Sequence, residues 1–81
     1  MNFIDSLNII KEGNVEVNGK SYMVDGSYYV YFKTGNKLIC ILDGYADDYL
    51  VFYCRDIGQK IYVDKTKIEK MQQFSGYIVY D

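Results

Sequence analysis

The sequence predicts a mainly β chain: a small antiparallel barrel of five to seven short strands led by one helix. Three observations carry that expectation. From Asn14 onward apolar and polar residues alternate with a period of two, the repeat of a strand with one buried face. Glycine-containing turn signals interrupt the alternation at Asn18-Gly19, at Asp25-Gly26, around Gly35 and at Asp43-Gly44. The 10 tyrosines and the absence of proline give the aromatic-rich composition of a half-buried pleated surface.

The elements follow in order. Phe3, Ile4, Leu7 and Ile10 form one apolar stripe at helical spacing; Asn2 can cap its start and Gly13 can end it behind Lys11, so a helix is expected over 1–13. Strands are expected near 14–18, 20–24, 27–33, 37–42, 49–55 and 59–64, then a last pair near 67–72 and 76–80. Asn18-Gly19 and Asp25-Gly26 are the strongest hairpin signals, because both central residues of a type I′ turn need positive φ, which Asn, Asp and Gly tolerate best. Asp43-Gly44 reads as a further turn. The whole is expected as one domain over 1–81, with the helix at 1–13 and the barrel over 14–81.

Two strands carry more apolar surface than one core needs. In "SYYVYFK" the face Tyr28, Val30, Phe32 alternates with Tyr29, Tyr31, Lys33; in "KLICIL" the face Leu38, Cys40, Leu42 alternates with Ile39 and Ile41. A strand that is apolar on both faces must be covered on both. Either the helix hides the second face, or Tyr29, Tyr31, Ile39 and Ile41 form an interface, since tyrosine is enriched where proteins meet.

Composition narrows the function. With 81 residues the chain can build one modest core, and a homo-oligomer is the expected way to add stability. Nine basic residues against 11 acidic ones leave a formal charge of -2, so no global positive field draws nucleic acid from a distance and any such contact must be local. No apolar run approaches the length of a membrane span, and the N-terminus has no basic region or cleavage site of a secretion signal. A soluble, cytoplasmic protein is expected, of a bacterium or of a phage-infected host cell, with no membrane contact. Histidine and tryptophan are absent, which removes the commonest general base near neutral pH and the commonest transition-metal ligand. Six serines and cysteines offer nucleophiles with no histidine to activate them, so an enzyme is not expected. Asp43, Asp47 and Asp48 lack the alternating ligand order of a Ca²⁺ loop; no metal and no cofactor are expected. Cys40 and Cys54 lie in apolar runs without CxxC spacing and read as small buried side chains.

Residues 30–71, "VYFKTGNKLICILDGYADDYLVFYCRDIGQKIYVDKTKIEKM", resemble the Sm-like family, which includes the Hfq-like proteins. Gly35 fits the family's turn glycine, Tyr45 its aromatic residue, Asp47 its aspartate after one extra residue, and "QKIYVDKTKIEKM" its second motif. Three departures stand out. Cys40 replaces a glycine that lets the strand bend, a hairpin over 14–26 separates the helix from the first matched strand, and "VDK" stands where the Hfq-like proteins carry a Lys-His pair. The resemblance implies a bent five-stranded SH3-like barrel and a ring of subunits joined strand to strand. It also implies single-stranded RNA or a nucleotide at the pore-side loops, matched here by Asp48, Tyr49 and Tyr62. Lys65, Lys67 and Lys70, with Lys60, form the only basic concentration and could supply phosphate contacts, with Tyr49 stacking on a base.

Two functions from different classes are therefore expected. One is an oligomeric, non-catalytic module binding single-stranded nucleic acid or a nucleotide through Asp48, Tyr49, Tyr62, Lys65 and Lys67. The other is a small acidic inhibitor or adaptor of phage type that blocks a partner protein or nucleoprotein complex with its tyrosine face or with the acidic segment 43–56, where four aspartates meet one arginine.

Overall fold

A computed structural model describes residues 8–73. It is mainly β, with seven strands: β1 (Asn14–Val17), β2 (Lys20–Met23), β3 (Ser27–Phe32), β4 (Lys37–Ala46), β5 (Tyr49–Cys54), β6 (Gln59–Asp64) and β7 (Ile68–Gln73). Short 3-10 turns, Arg55–Ile57 and Lys65–Lys67, precede β6 and β7. All pairings are antiparallel. β1 and β2 form a two-stranded sheet, and the other five strands form a sheet in the order β6-β5-β4-β3-β7, whose outer strands β6 and β7 are not paired with each other, so among the described residues the sheets stay open and the expected barrel is not closed. The expected strand at 76–80 lies outside the described residues.

The Asn18-Gly19 turn forms as the sequence predicts, with positive φ at both residues (52° and 81°) and Val17 paired with Lys20. Asp25-Gly26 does not close a hairpin. β2 and β3 belong to different sheets, and only Asp25 has positive φ. The dipeptide is a corner that docks on β4: the Asp25 N–H donates to the Leu42 carbonyl at 2.7 Å and the Leu42 N–H to the Gly26 carbonyl at 2.9 Å.

Nor is Asp43-Gly44 a turn. It lies inside the ten-residue β4, where Leu42 pairs with Phe52 and Gly44 with Val51, leaving Asp43 as the extra residue of a β-bulge. The reversal comes at Asp47-Asp48, between the paired Ala46 and Tyr49, with Asp47 at φ 52°. The bulge changes the strand's company: β3 pairs with residues up to Ile41, and beyond it that side of β4 is open to other segments.

The N-terminal segment takes this opening, which corrects the expected helix. Residues 8–13 are not helical; residues 1–7 lie outside the described part. Ile10 forms an antiparallel bridge with Tyr45, exchanging N–H···O bonds of 2.8 and 3.0 Å. An extended segment satisfies the Tyr45 backbone groups that β3 has left behind; a helix, whose bonds are all internal, could not. Gly44 makes room for the crossing, because a Cβ there would lie 2.7 Å from the Ile10 carbonyl oxygen.

Both sheets share one core. Val15, Val17 and Val24 of the hairpin region pack with Tyr28, Val30, Cys40, Leu42, Leu50, Phe52, Ile68 and Met71. Tyr22 and Tyr28 meet edge to face with centroids 5.4 Å apart, the favoured aromatic arrangement. The hairpin also covers the β7 edge. Asn18 Nδ2 donates to the Ile68 and Glu69 carbonyls, and the Tyr22 hydroxyl to the Met71 carbonyl, each at 3.1 Å. These bonds occupy backbone acceptors that an edge strand would otherwise offer to another chain.

Candidate functional site

The residues matched to nucleic-acid loops come together in part. The Lys65 N–H donates to the Asp48 carbonyl at 2.8 Å, and Tyr49 pairs with Asp64 across β5 and β6, so Asp48, Tyr49, Asp64 and Lys65 share one end of the sheet. Tyr62 pairs with Val51 and is a diagonal neighbour of Tyr49 on the same face. Lys67 lies on the far side of its turn, where its carbonyl accepts from the Lys33 N–H at 3.0 Å. Asp64 is the structural piece of this end. Its carboxylate accepts from both the backbone N–H and the hydroxyl of Thr66 at 2.9 Å, which holds its pKa below the ordinary value. The "VDK" departure is thus a capped turn. With Asp48 and Asp64 interleaved among Tyr49, Lys65 and Lys67, this end presents no clear field to a phosphate.

The basic concentration is also split. Lys60 Nζ pairs with Asp43 Oδ2 at 3.0 Å, a bond available because the bulge carries Asp43. Nor does the acidic segment 43–56 form one patch. Asp47 and Asp48 precede β5 and Asp56 follows it, with six residues of extended strand between, roughly 17 Å of rise.

A different surface has the more coherent chemistry. The registers Tyr29↔Ile39, Tyr31↔Lys37, Ile41↔Tyr53, Tyr29↔Gln72 and Tyr31↔Lys70 place these side chains on one face, opposite the buried Tyr28, Val30 and Cys40. Tyr29, Tyr31, Ile39, Ile41 and Tyr53 are half-buried there, while Lys37, Lys70 and Gln72 are exposed. Lys70 Nζ lies 4.8 Å from the Tyr31 ring centroid, and Lys37 Nζ lies 5.9 Å from Tyr31 and 5.2 Å from Tyr29, within cation–π range. Tyr31 is thus flanked by two ammonium groups on adjacent strands.

Sequence reasoning named Tyr29, Tyr31, Ile39 and Ile41 on this face but missed Lys37 and Tyr53. Lys37 is legible in hindsight, since it shares the period-two series of Ile39 and Ile41. Tyr53 becomes part of the face only through the β4–β5 register, which the bulge sets.

Two other features lie away from this face. An open hollow of about 340 Å³ is lined by Asn14, Ser21, Tyr22, Met23, Tyr28 and Gln73; the Tyr28 hydroxyl there is already bonded to both the N–H and the C=O of Met23 at 2.9 Å. Cys40 and Cys54 are free and buried, with their Sγ atoms 2.6 Å apart. Among the described residues no cluster of three or more acidic or cysteine side chains is arranged to hold a metal, and no helix is long and apolar enough to cross a membrane. No protein-family model, no curated protein and no solved structure matches the chain.

Proposed function

We propose that this protein is a non-catalytic module that binds single-stranded nucleic acid on the face of β3, β4 and β7. The observation that carries the reading is Tyr31 flanked by Lys37 and Lys70, with Tyr29 two residues away on the same strand. Alternate residues of a strand are about 6.7 Å apart, so two rings can each take one unstacked base while ammonium groups on the neighbouring strands meet the phosphates. Aromatic faces accept bases with little sequence preference. A duplex hides its base faces and gains less from such a surface. Tyr49 and Tyr62 form a secondary aromatic pair at the β5–β6 end, weakened for this purpose by Asp48 and Asp64.

An SH3-like small barrel is part of the same proposal. One sheet of five antiparallel strands, with a bulge at Asp43 and a 3-10 turn before β7, favours it, while the described sheet stays open between β6 and β7 and lacks the closure a barrel needs. The Sm-like ring is the less supported component, because the β1–β2 hairpin bonds along the β7 edge that strand-to-strand assembly would use. The oligomer we propose is instead a pair of copies along β6, the other edge of the sheet among the described residues.

A second reading rests on a specific observation: Ile39 and Ile41 are half-buried beside the tyrosines, as in the core of a protein interface. The same face would then serve an inhibitor or adaptor of phage type. Its acidic-segment version loses support from the separation of Asp47 and Asp48 from Asp56.

Fluorescence anisotropy with a labelled mixed-sequence single strand tests the proposal, with a duplex of the same length as control and light scattering for the mass. The Tyr29→Ser/Tyr31→Ser chain should bind the single strand roughly tenfold or more weakly while melting within a few degrees of the parent. Undiminished binding by that variant rejects the face. No binding by the parent chain rejects nucleic acid and leaves the protein-partner reading.

A further inference from the structure

We propose that Cys40 and Cys54 are a covalent modification site, closing into a cross-strand disulfide when the chain folds in the presence of a low-molecular-weight disulfide. Pairing of Ile41 with Tyr53 and Leu42 with Phe52 places Cys40 directly opposite Cys54 on the neighbouring strand. Directly opposed residues on one face have Cβ atoms about 4.5–5.5 Å apart, near the separation a disulfide spans. The two sulfurs are in contact, and both residues are only 1% exposed. A pair of cysteines serving merely as small apolar filler has no need to face each other across one rung of a sheet.

The exchange balances without any group the molecule lacks except the named oxidant. The thiolate of one cysteine attacks the small disulfide and expels one small thiolate. The thiolate of the other then attacks the mixed disulfide on the protein sulfur and expels the second. One S–S bond forms in the protein, one breaks in the oxidant, and two small thiols leave with the two protons and two electrons.

Burial decides when this can happen. Desolvation raises the pKa of both thiols, and the thiolate is the reactive form. Burial in the core also excludes the oxidant from both sulfurs. A chain that folds reduced therefore stays reduced, and one that folds oxidised is shielded from small reductants. The pair retains the redox state of the compartment in which folding took place.

Oxidative refolding tests this. The denatured, reduced chain is refolded in a mixture of oxidised and reduced glutathione, then alkylated with iodoacetamide in denaturant and weighed intact. The expected product carries no alkyl group and is lighter than the reduced chain by two hydrogens. A chain first folded reduced and then given the same mixture should oxidise at least about tenfold more slowly. Cys40→Ala, which leaves Cys54 nothing to close on, should take up one alkyl group or one glutathione instead. Two alkylated cysteines, or glutathione adducts without the internal bond, in the refolded parent chain would overturn the site. Equal oxidation rates for folded and unfolded chains would overturn its gating by folding.

Discussion

Gly44 and Ile10 meet so closely that a Cβ on Gly44 would lie 2.7 Å from the Ile10 carbonyl oxygen. The contact exists because the chain before β3 leaves β4 at the Asp25-Gly26 corner on Leu42, and the N-terminal segment takes its place beside Tyr45. Gly44→Ala should therefore displace that segment and release the Ile10–Tyr45 bridge, two backbone hydrogen bonds worth about 1–3 kcal/mol together. Hydrogen exchange at the Ile10 and Tyr45 amides is the direct measurement. Unchanged protection at both positions would show that the crossing does not depend on the glycine.

Asn18 both makes the β1–β2 turn and ties it to β7. Asn18→Gly keeps the positive-φ turn but loses the bonds to the Ile68 and Glu69 carbonyls, with an expected loss of about 1–2 kcal/mol in denaturant unfolding. Asn18→Ala loses the same bonds and adds the strain of φ 52°, so it should be the less stable of the two by up to about 1 kcal/mol. Equal stabilities would mean that the turn relaxes.

Asp64 gives the protein an acid-sensitive contact. Its pKa is held down by the backbone and hydroxyl bonds from Thr66, so its contribution is fully present above the ordinary carboxylate value near about 3.9 and is lost as pH falls through the lower folded value. Asp64→Ala should melt below the parent by a gap that is constant above about pH 5 and narrows below about pH 4. Asp64→Asn keeps an acceptor and should retain part of the cap with a weaker acid dependence. Melting curves across that range decide, and a gap independent of pH would contradict the assignment.

On the tyrosine face the lysines and the rings should be separable. Under the proposed single-strand binding, Lys37→Gln/Lys70→Gln leaves the two rings but removes two ammonium groups, each expected to contribute about 0.7 to the slope of log K against log salt for a single strand. Single-strand binding by the double variant should thus be weaker at low salt and less salt-sensitive, by about 1.4 in slope. An unchanged slope would place the phosphates elsewhere.

Much of this molecule was legible in its residues. The strand positions, the Asn18-Gly19 turn and the two faces of β3 and β4 follow from a period of two and from which residues tolerate positive φ. Both signals are local. The chain's own pattern also showed that Tyr29, Tyr31, Ile39 and Ile41 share a face apart from the core.

What the residues alone did not reveal arises from contacts distant in the chain. The stripe Leu7 and Ile10 fits a helix, yet residues 8–13 are not helical, because Ile10 bridges to the backbone of Tyr45, 35 residues further on, instead of bonding within a helix. Asp43-Gly44 has the composition of a turn, but the partner β5 runs past both halves of β4 and makes the extra residue a bulge. That bulge aims Asp43 at Lys60, and the register it sets brings Tyr53 to the tyrosine face, while pairing with β3 and β7 gathers Lys37 and Lys70 around Tyr31. Periodicity determined which side of each strand is apolar. Backbone hydrogen bonding between distant strands, which no single strand encodes, decided which side chains became neighbours.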